Sequence, residues 1–174
     1  MFLKANVLAN MSRRLFMQQA TFSREIRSGK GFFVIIEQYK LLGGISMKLE
    51  FIHHVAIICS DYEKSKHFYT KILGLPIIQE TYRKERDSYK LDLAVGANSQ
   101  IELFSFPNPP KRPSYPEAAG LRHLAFAVVS VEEWKTELEN KGIDVEPIRI
   151  DELTGKRFTF FADPDGLPIE IYEI

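Results

Sequence analysis

The chain has 174 residues and is 45% hydrophobic, enough to bury a core in one ordinary domain or in two small packed modules. Its 23 basic and 23 acidic residues cancel, which argues against a protein dominated by nucleic-acid phosphates or by an anionic membrane surface. The sequence contains no run of 18 or more apolar residues, so we expect no membrane span. These properties predict a folded, soluble protein.

The first 46 residues differ from the rest because they carry seven Lys/Arg and only two Asp/Glu. Three interpretations remain open: a targeting segment, which this composition resembles, a loosely structured extension, or an upstream translation artefact with Met47 as the working start. We favour the last two, because an apolar run at Phe32–Ile36 follows and the chain from Met47 already looks complete. We predict an extension over residues 1–46 that is poorly structured and contributes no chemistry.

From Met47 the pattern predicts a strand, a helix and three more strands. Leu49–Cys59 is rich in β-branched and apolar residues and is typical of a buried strand. Ser60 and Glu63 have the spacing of a helix capping box, and Gly74 ends the helix. The following strands are predicted at Ile77–Arg83, Ser88–Val95 and Gln100–Phe106, which completes a first module over residues 49–106.

Cys59 is the single cysteine, which excludes an intrachain disulfide and fits a reducing compartment such as the cytoplasm. Strand alternation places it on the side opposite His54. We interpret it as a small core residue rather than as a reactive thiol.

Residues 107–119 begin with a proline-dense stretch, which cannot form a helix or a central strand and therefore connects two modules. The pattern then restarts over residues 120–174. Leu121–Val129 is predicted as a strand, Ser130 and Glu133 repeat the capping box, and Gly142 ends the second helix. The last strands are predicted at Asp144–Ile150, Arg157–Ala162 and Leu167–Glu173, the final two joined by the turn Asp163–Gly166.

Two histidines and two glutamates recur at matched positions in the two halves. His54 precedes Glu102 by 48 residues, and His123 precedes Glu170 by 47. This repeat predicts an α+β fold of two βαβββ modules that share one metal site. Two imidazoles and two carboxylates balance a divalent ion, and the mixture suits Ni, Co, Fe, Mn or Zn better than Ca or Mg.

Each of these residues also has a plainer explanation. A single strand histidine is usually a hydrogen-bonded core or surface residue, and a single strand glutamate usually faces solvent. His53 competes with His54 as a ligand, but the match to His123 and Ala125 selects His54. The charge run Tyr82–Arg86 is most simply a solvated turn.

The motifs resemble those of the vicinal oxygen chelate superfamily, and within it those of glyoxalase I, lactoylglutathione lyase. They are His54–Ile57, Glu102 in Ile-Glu-Leu-Phe, Leu121–Phe126 and Asp163–Glu170. The resemblance implies a curved mixed sheet around a metal. It also implies isomerisation of a hemithioacetal through an enediolate, with Glu170 moving the proton and Glu102 as its partner.

The resemblance implies a thiol co-substrate such as glutathione, but the arginine and asparagine that glyoxalase I uses on it have no counterpart here. Candidates for an anionic substrate are Arg122, Lys156 and Arg157. An Fe(II) dioxygenase or epimerase, or a metal-free module that sequesters a small compound, are the alternatives. The modules could meet within one chain or across a homodimer.

Overall fold

The computed structural model describes residues 48–113 and 116–174, and the predicted extension over residues 1–46 lies outside this part. Residues 51–174 form a compact unit that contains every described helix and strand. None of the described helices is long and apolar enough to cross a bilayer.

The first half forms a four-stranded sheet with one helical segment. Strand β1 runs parallel to β4, and β4, β3 and β2 pair antiparallel, so the spatial order is β1-β4-β3-β2. The elements are β1 (His54–Cys59), helix α1 (Tyr62–His67) with a π-helical continuation (Phe68–Ile72), β2 (Ile77–Arg83), a 3₁₀ turn (Lys84–Arg86), β3 (Ser88–Val95) and β4 (Ser99–Ser105).

The second half repeats this arrangement. Strand β5 is parallel to β8, and the order β5-β8-β7-β6 copies that of the first sheet. The elements are β5 (Leu124–Val128), helix α2 (Val131–Asn140), β6 (Arg149–Ile150), β7 (Arg157–Ala162) and β8 (Pro168–Glu173). Two open, mixed sheets with few helices confirm the predicted fold class.

Three predicted strands are several residues shorter in the structure, and the one predicted at Leu121–Val129 spans only Leu124–Val128. The strand predicted at Asp144–Ile150 is reduced to Arg149–Ile150, because Pro147 has no amide to donate. The Glu146 amide still donates to the Phe160 carbonyl at 2.9 Å, so the segment follows β7 without forming a full ladder. The first strand begins at His54 rather than Leu49, since residues 48–53 are exposed.

One of the two predicted capping boxes is correct. Ser130 caps α2 by accepting a hydrogen bond from the Glu133 amide at 3.2 Å. The cap of α1 is Asp61, whose side chain accepts from the Lys64 amide at 3.1 Å. Ser60 instead donates its amide and its hydroxyl to the Asp165 carboxylate, which ties the first half to the turn before β8.

One face of each sheet is buried against the helices. Branched and aromatic side chains fill this core, and each contributes roughly 1.5–3 kcal/mol when fully buried. They include Ile57, Leu91, Leu93, Leu103, Tyr69, Val131, Leu138, Ile169 and Ile171. Cys59 is buried with them, as predicted, and burial raises the pKa of its thiol to about 11. The opposite face of each sheet stays open, and the alternation of strand residues places the predicted ligands there.

Candidate metal centre

The first sheet brings two of the four predicted ligands together. In the parallel pairing of β1 with β4, Ala56 lies opposite Glu102. His54, two residues before Ala56 on the same face, reaches across the pair, and its Nε2 lies 3.9 Å from Glu102 Oε2. The two side chains therefore form one His–Glu pair on the open face.

The second sheet repeats this geometry in the same register. Ala125 lies opposite Glu170 in the pairing of β5 with β8. His123, two residues before Ala125, places its Nε2 3.1 Å from Glu170 Oε2. The matched spacings in the sequence thus arise from one strand register used twice.

The two members of each pair differ in burial. The side chains of Glu102 and Glu170 are 15% and 12% exposed, whereas those of His54 and His123 are 45% and 34% exposed. A carboxylate removed this far from water needs a cation or several hydrogen bonds. The histidines remain open to a ligand that arrives from solvent.

The four side chains do not converge within the described part of one chain. No three His, Cys, Asp or Glu residues of that part are placed to share an ion. Each sheet therefore carries half of the predicted site, as two separate His–Glu pairs.

The donor atoms of these pairs suit a transition metal. Imidazole nitrogen with carboxylate oxygen is the mixture that such ions accept. His53, which sequence reasoning treated only as a competing ligand, has its Nδ1 3.0 Å from His54 Nδ1. Because this hydrogen bond uses His54 Nδ1, the other ring nitrogen, Nε2, is the one that faces Glu102. The buried Nδ1 of His123 has no hydrogen-bond partner among residues 48–113 and 116–174.

Lys90 is a site residue that the sequence did not reveal. Its Nζ lies 2.9 Å from Glu102 Oε1 and 2.6 Å from Asp92 Oδ1. The hydrogen bond to Asp92, followed by that to Glu102, raises the pKa of Lys90, so the side chain stays an ammonium. Alternation along β3 would suggest that Lys90 and Asp92 share a face, but only the pairing of β3 with β4 places that face against Glu102.

The three predicted substrate-binding residues occupy different surroundings. Arg157 and its neighbour Phe158 point to opposite faces of β7, and Arg157 is on the side of the helix. Its guanidinium donates to Glu132 at 2.7 Å and to Glu173, so its charge is already paired. Arg122 precedes His123 and forms an exposed ion pair with Glu117 at 3.1 Å. Lys156 lies in the turn between β6 and β7.

Comparison with known proteins decides the family. Residues 51–171 match the sequence profile of the Glyoxalase/Bleomycin resistance protein/Dioxygenase superfamily. The chain belongs to this superfamily. It is the superfamily also called vicinal oxygen chelate, as the sequence motifs predicted.

Similar proteins that align with about three quarters of this chain support the assignment. The chain is 66% identical over 127 residues to the uncharacterized protein YwkD of Bacillus subtilis, which covers 73% of this chain and 99% of that protein. It is 32% identical to glyoxylase I 4 of Arabidopsis thaliana, over 74% of this chain and 73% of that protein. A crystal structure of a glyoxalase family protein from Enterococcus faecalis superposes with a TM-score of 0.67 at 50% identity, covering 72% of this chain and 98% of that one.

More distant relatives are named for several different activities. Proteins that are 26–27% identical to this chain are named as 2-epi-5-epi-valiolone epimerase, putative ring-cleaving dioxygenase and metallothiol transferase. The superfamily includes many enzymes, and its members typically use a divalent metal ion. Family membership therefore narrows the chemistry without selecting one reaction.

Proposed function

We propose that the chain is a metal-dependent lyase or isomerase of the glyoxalase I type, acting on a hemithioacetal or a related substrate with vicinal oxygens. The observation that supports this proposal is the repeated register, which puts a histidine and a glutamate at the same place on the open face of each sheet. A protein that only sequesters a small compound has no use for two such pairs.

We further propose that a complete site forms between two copies of the chain, each lending one His–Glu pair. Within the described residues the pairs do not share a centre, and the strand or strand end that follows each histidine carries an exposed apolar side chain. Ile58, on the open face with His54, is 56% exposed, and Val129, just after β5, is 82% exposed. Covering such side chains favours association, and superfamily members often form dimers.

In the complete site, the ion would be held by His54, Glu102, His123 and Glu170. A divalent ion such as Ni, Co, Zn, Mn or Fe supplies a Lewis acid that stabilises negative charge on substrate oxygens. Glu170 is the proposed base: its largely buried carboxylate takes a proton from one substrate carbon and returns it to the adjacent carbon. Glu102 is its partner on the other side, where Lys90 Nζ lies 2.9 Å from Glu102 Oε1 and neutralises the carboxylate before an ion binds.

A thiol such as glutathione is the proposed co-substrate. An epimerase is the second candidate, because moving a proton at one carbon requires the same pair of carboxylates, and one of the relatives is named as an epimerase. The two reactions differ in whether a thiol adduct is consumed.

Metal content and turnover test the proposal. We expect the full-length chain, purified without chelator, to retain a divalent ion that His123→Ala loses and that His67→Ala, a change at an exposed histidine of α1, keeps. Methylglyoxal with different thiols, under Ni, Co or Zn, should then be isomerised by the metal-loaded protein. Failure with every thiol adduct would reject the lyase, and failure to retain metal would reject the whole proposal.

Mixing two inactive variants tests the shared site. One partner carries His54→Ala and the other His123→Ala, so a mixed dimer contains one site with both lesions and one with neither. Random mixing should restore about one quarter of the wild-type metal content and activity. No recovery on mixing, in a mixture shown to exchange subunits, would place all four ligands of a site within one chain.

A further inference from the structure

Arg83 stands apart from the charge run in which it occurs. Lys84, Glu85 and Arg86 are exposed, as the sequence predicts for a solvated turn, but Arg83 at the end of β2 is partly buried. Its guanidinium carbon lies 4.7 Å from the ring centroid of Phe104 and 5.4 Å from that of Phe106. The side chain therefore lies over the open face of the first sheet, above two aromatic rings.

This guanidinium has no carboxylate partner within the part of the chain that the structure describes. Among the described residues, its only hydrogen bond is donated to the Ser88 hydroxyl, and its Nε is buried without an acceptor. A partly buried cation without a counter-ion is unfavourable, and aromatic rings compensate only in part. The arrangement is what a binding site for an anion requires.

Arg149 on the second sheet provides the contrast. Its guanidinium carbon lies 4.9 Å and 5.3 Å from the ring centroids of Phe158 and Phe160, so the stacking is alike. Arg149, however, has Glu146 Oε2 at 2.9 Å and is exposed. The two arginines thus share an aromatic support, but the charge of Arg149 is paired with a carboxylate, whereas that of Arg83 has no such partner among the described residues.

Arg83 also lies close to the first His–Glu pair. Phe104 follows Glu102 by two residues on the same face of β4, a separation of roughly 7 Å along a strand. Lys90 lies opposite Phe104 in the pairing of β3 with β4 and bonds to Glu102. A small molecule that reaches Glu102 with one end can therefore reach Arg83 with the other.

We propose that Arg83 binds a compact oxyanion, a carboxylate or a phosphorus oxyanion, at one end of the substrate. The assignment of this anion to the substrate rests on the proposed function, whereas the anion site itself does not. A guanidinium offers two parallel N–H donors that match the oxygens of either group, and the rings of Phe104 and Phe106 hold its plane. The substrate class is then an organic acid or a phosphonate or phosphate ester that carries vicinal oxygens.

Titration of the full-length chain with acetate, methylphosphonate and inorganic phosphate, followed by NMR chemical shifts, tests this inference. At least one probe should bind saturably and shift the resonances of Phe104 and Phe106, and the order of affinities distinguishes carboxylate from phosphorus oxyanion. Arg83→Met should weaken that binding tenfold or more, while Arg83→Lys should retain part of it. The matched control, Arg149→Met, should leave it unchanged.

Equal weakening by Arg83→Met and Arg149→Met would overturn the inference, and so would the absence of saturable binding in the wild type. Thermal unfolding of each variant verifies that the protein still folds, and Arg83→Lys replaces Arg83→Met if the latter does not. The titration is run before and after EDTA treatment. If the protein purified without chelator retains no metal but still shows Arg83-dependent binding, the anion site stands and the proposed function is rejected. Arg83→Met should not change the metal content.

Discussion

The two sheets present the same ligand pair in different surroundings. On the first sheet, Lys90 and Asp92 crowd Glu102, and His54 stands 3.9 Å away from that carboxylate. On the second sheet, His123 lies 3.1 Å from Glu170, and Phe160 packs edge-on against the histidine at 5.3 Å. The repeat keeps the positions of the proposed ligands, but their neighbours differ. The first pair lies beside charged side chains, and the second pair lies beside an aromatic ring.

This difference implies that Glu102 and Glu170 would contribute differently to metal binding. Glu102 already has an ammonium beside it, so an incoming metal ion must compete with Lys90. Among residues 48–113 and 116–174, the ion-pair partner of Glu170 is the imidazole of His123, and the Glu170 side chain is 12% exposed against 15% for Glu102. If the proposed site forms, the first sheet therefore supplies a carboxylate that is already neutralised, and the second supplies a carboxylate that depends more on the ion.

Truncation in the two cores tests whether the sheets fold as one unit. Leu103→Ala on β4 and Ile171→Ala on β8 remove buried side chains, and each should lower the free energy of unfolding by about 2–5 kcal/mol. Because helix and turn contacts join the halves, denaturant unfolding should show one transition in both variants. The exposed Leu153→Ala is the control and should change little. Two separate transitions would mean that the halves are independent.

Replacing each carboxylate by its amide separates the two pairs. Glu170→Gln should weaken metal binding by roughly 100-fold or more, because loss of a residue that only orients a ligand already costs about 10–100-fold in metal affinity. Glu102→Gln should weaken it several-fold less, because the ion no longer has to displace Lys90 from that side chain. Competition with a metallochromic chelator measures both affinities, with Glu139→Gln on α2 as control. Equal losses of metal affinity in the two variants would contradict the proposed difference between Glu102 and Glu170.

Removing the Lys90 ammonium should strengthen metal binding, whereas removing either carboxylate should weaken it. Lys90→Met keeps the side-chain stem against Phe104, deletes the competing cation and should tighten metal binding by about tenfold. Lys66→Met is the matched control. Lys66 Nζ lies 2.7 Å from Glu80 Oε2, and this ion pair does not involve either His–Glu pair. Weaker metal binding in Lys90→Met would show that Lys90 orients Glu102 rather than competes for it.

Local patterns were sufficient to predict most of the fold. The alternation of strand residues, the repeated motifs and the terminal glycines of both helices predicted the elements and their duplication, and Gly74 and Gly142 do have the positive φ of helix ends, 73° and 78°. The errors came from competition for a partner. Ser60 has the right spacing for a cap, but Asp165, distant in sequence, takes its donors.

The residues of the candidate site were predictable only where the sequence repeats a motif. The pairing of His54 with Glu102 and of His123 with Glu170 follows from internal similarity. Lys90 and Arg83 depend on which strands lie side by side, and no local pattern encodes that. The separation of the two pairs depends on how whole sheets pack, which lies further still from the local sequence.

The smallest expected effect lies three residues beyond the ligand glutamates. Glu173 follows Glu170 at this spacing, but the equivalent position after Glu102 is Ser105, so only the second sheet has an acid there. Hydrogen bonds from the Arg157 side chain and then from its amide lower the pKa of Glu173 from 4.5 to about 2. The ionised form is therefore favoured by folding, and its stabilisation is complete above pH 4.5 and is lost as the pH falls towards 2.

Glu173→Gln should consequently lower the free energy of unfolding slightly at neutral pH, and the gap to the wild type should close as the pH falls from 4.5 towards 2. Denaturant unfolding of both proteins across that range measures the gap. Ser105→Ala, at the equivalent position of the first sheet, lacks an ionisable group and should differ from the wild type by an amount that does not change with pH. A gap for Glu173→Gln that stays constant or widens on acidification would mean that the ion pair with Arg157 does not stabilise the fold, and that the second sheet differs from the first only on its open face.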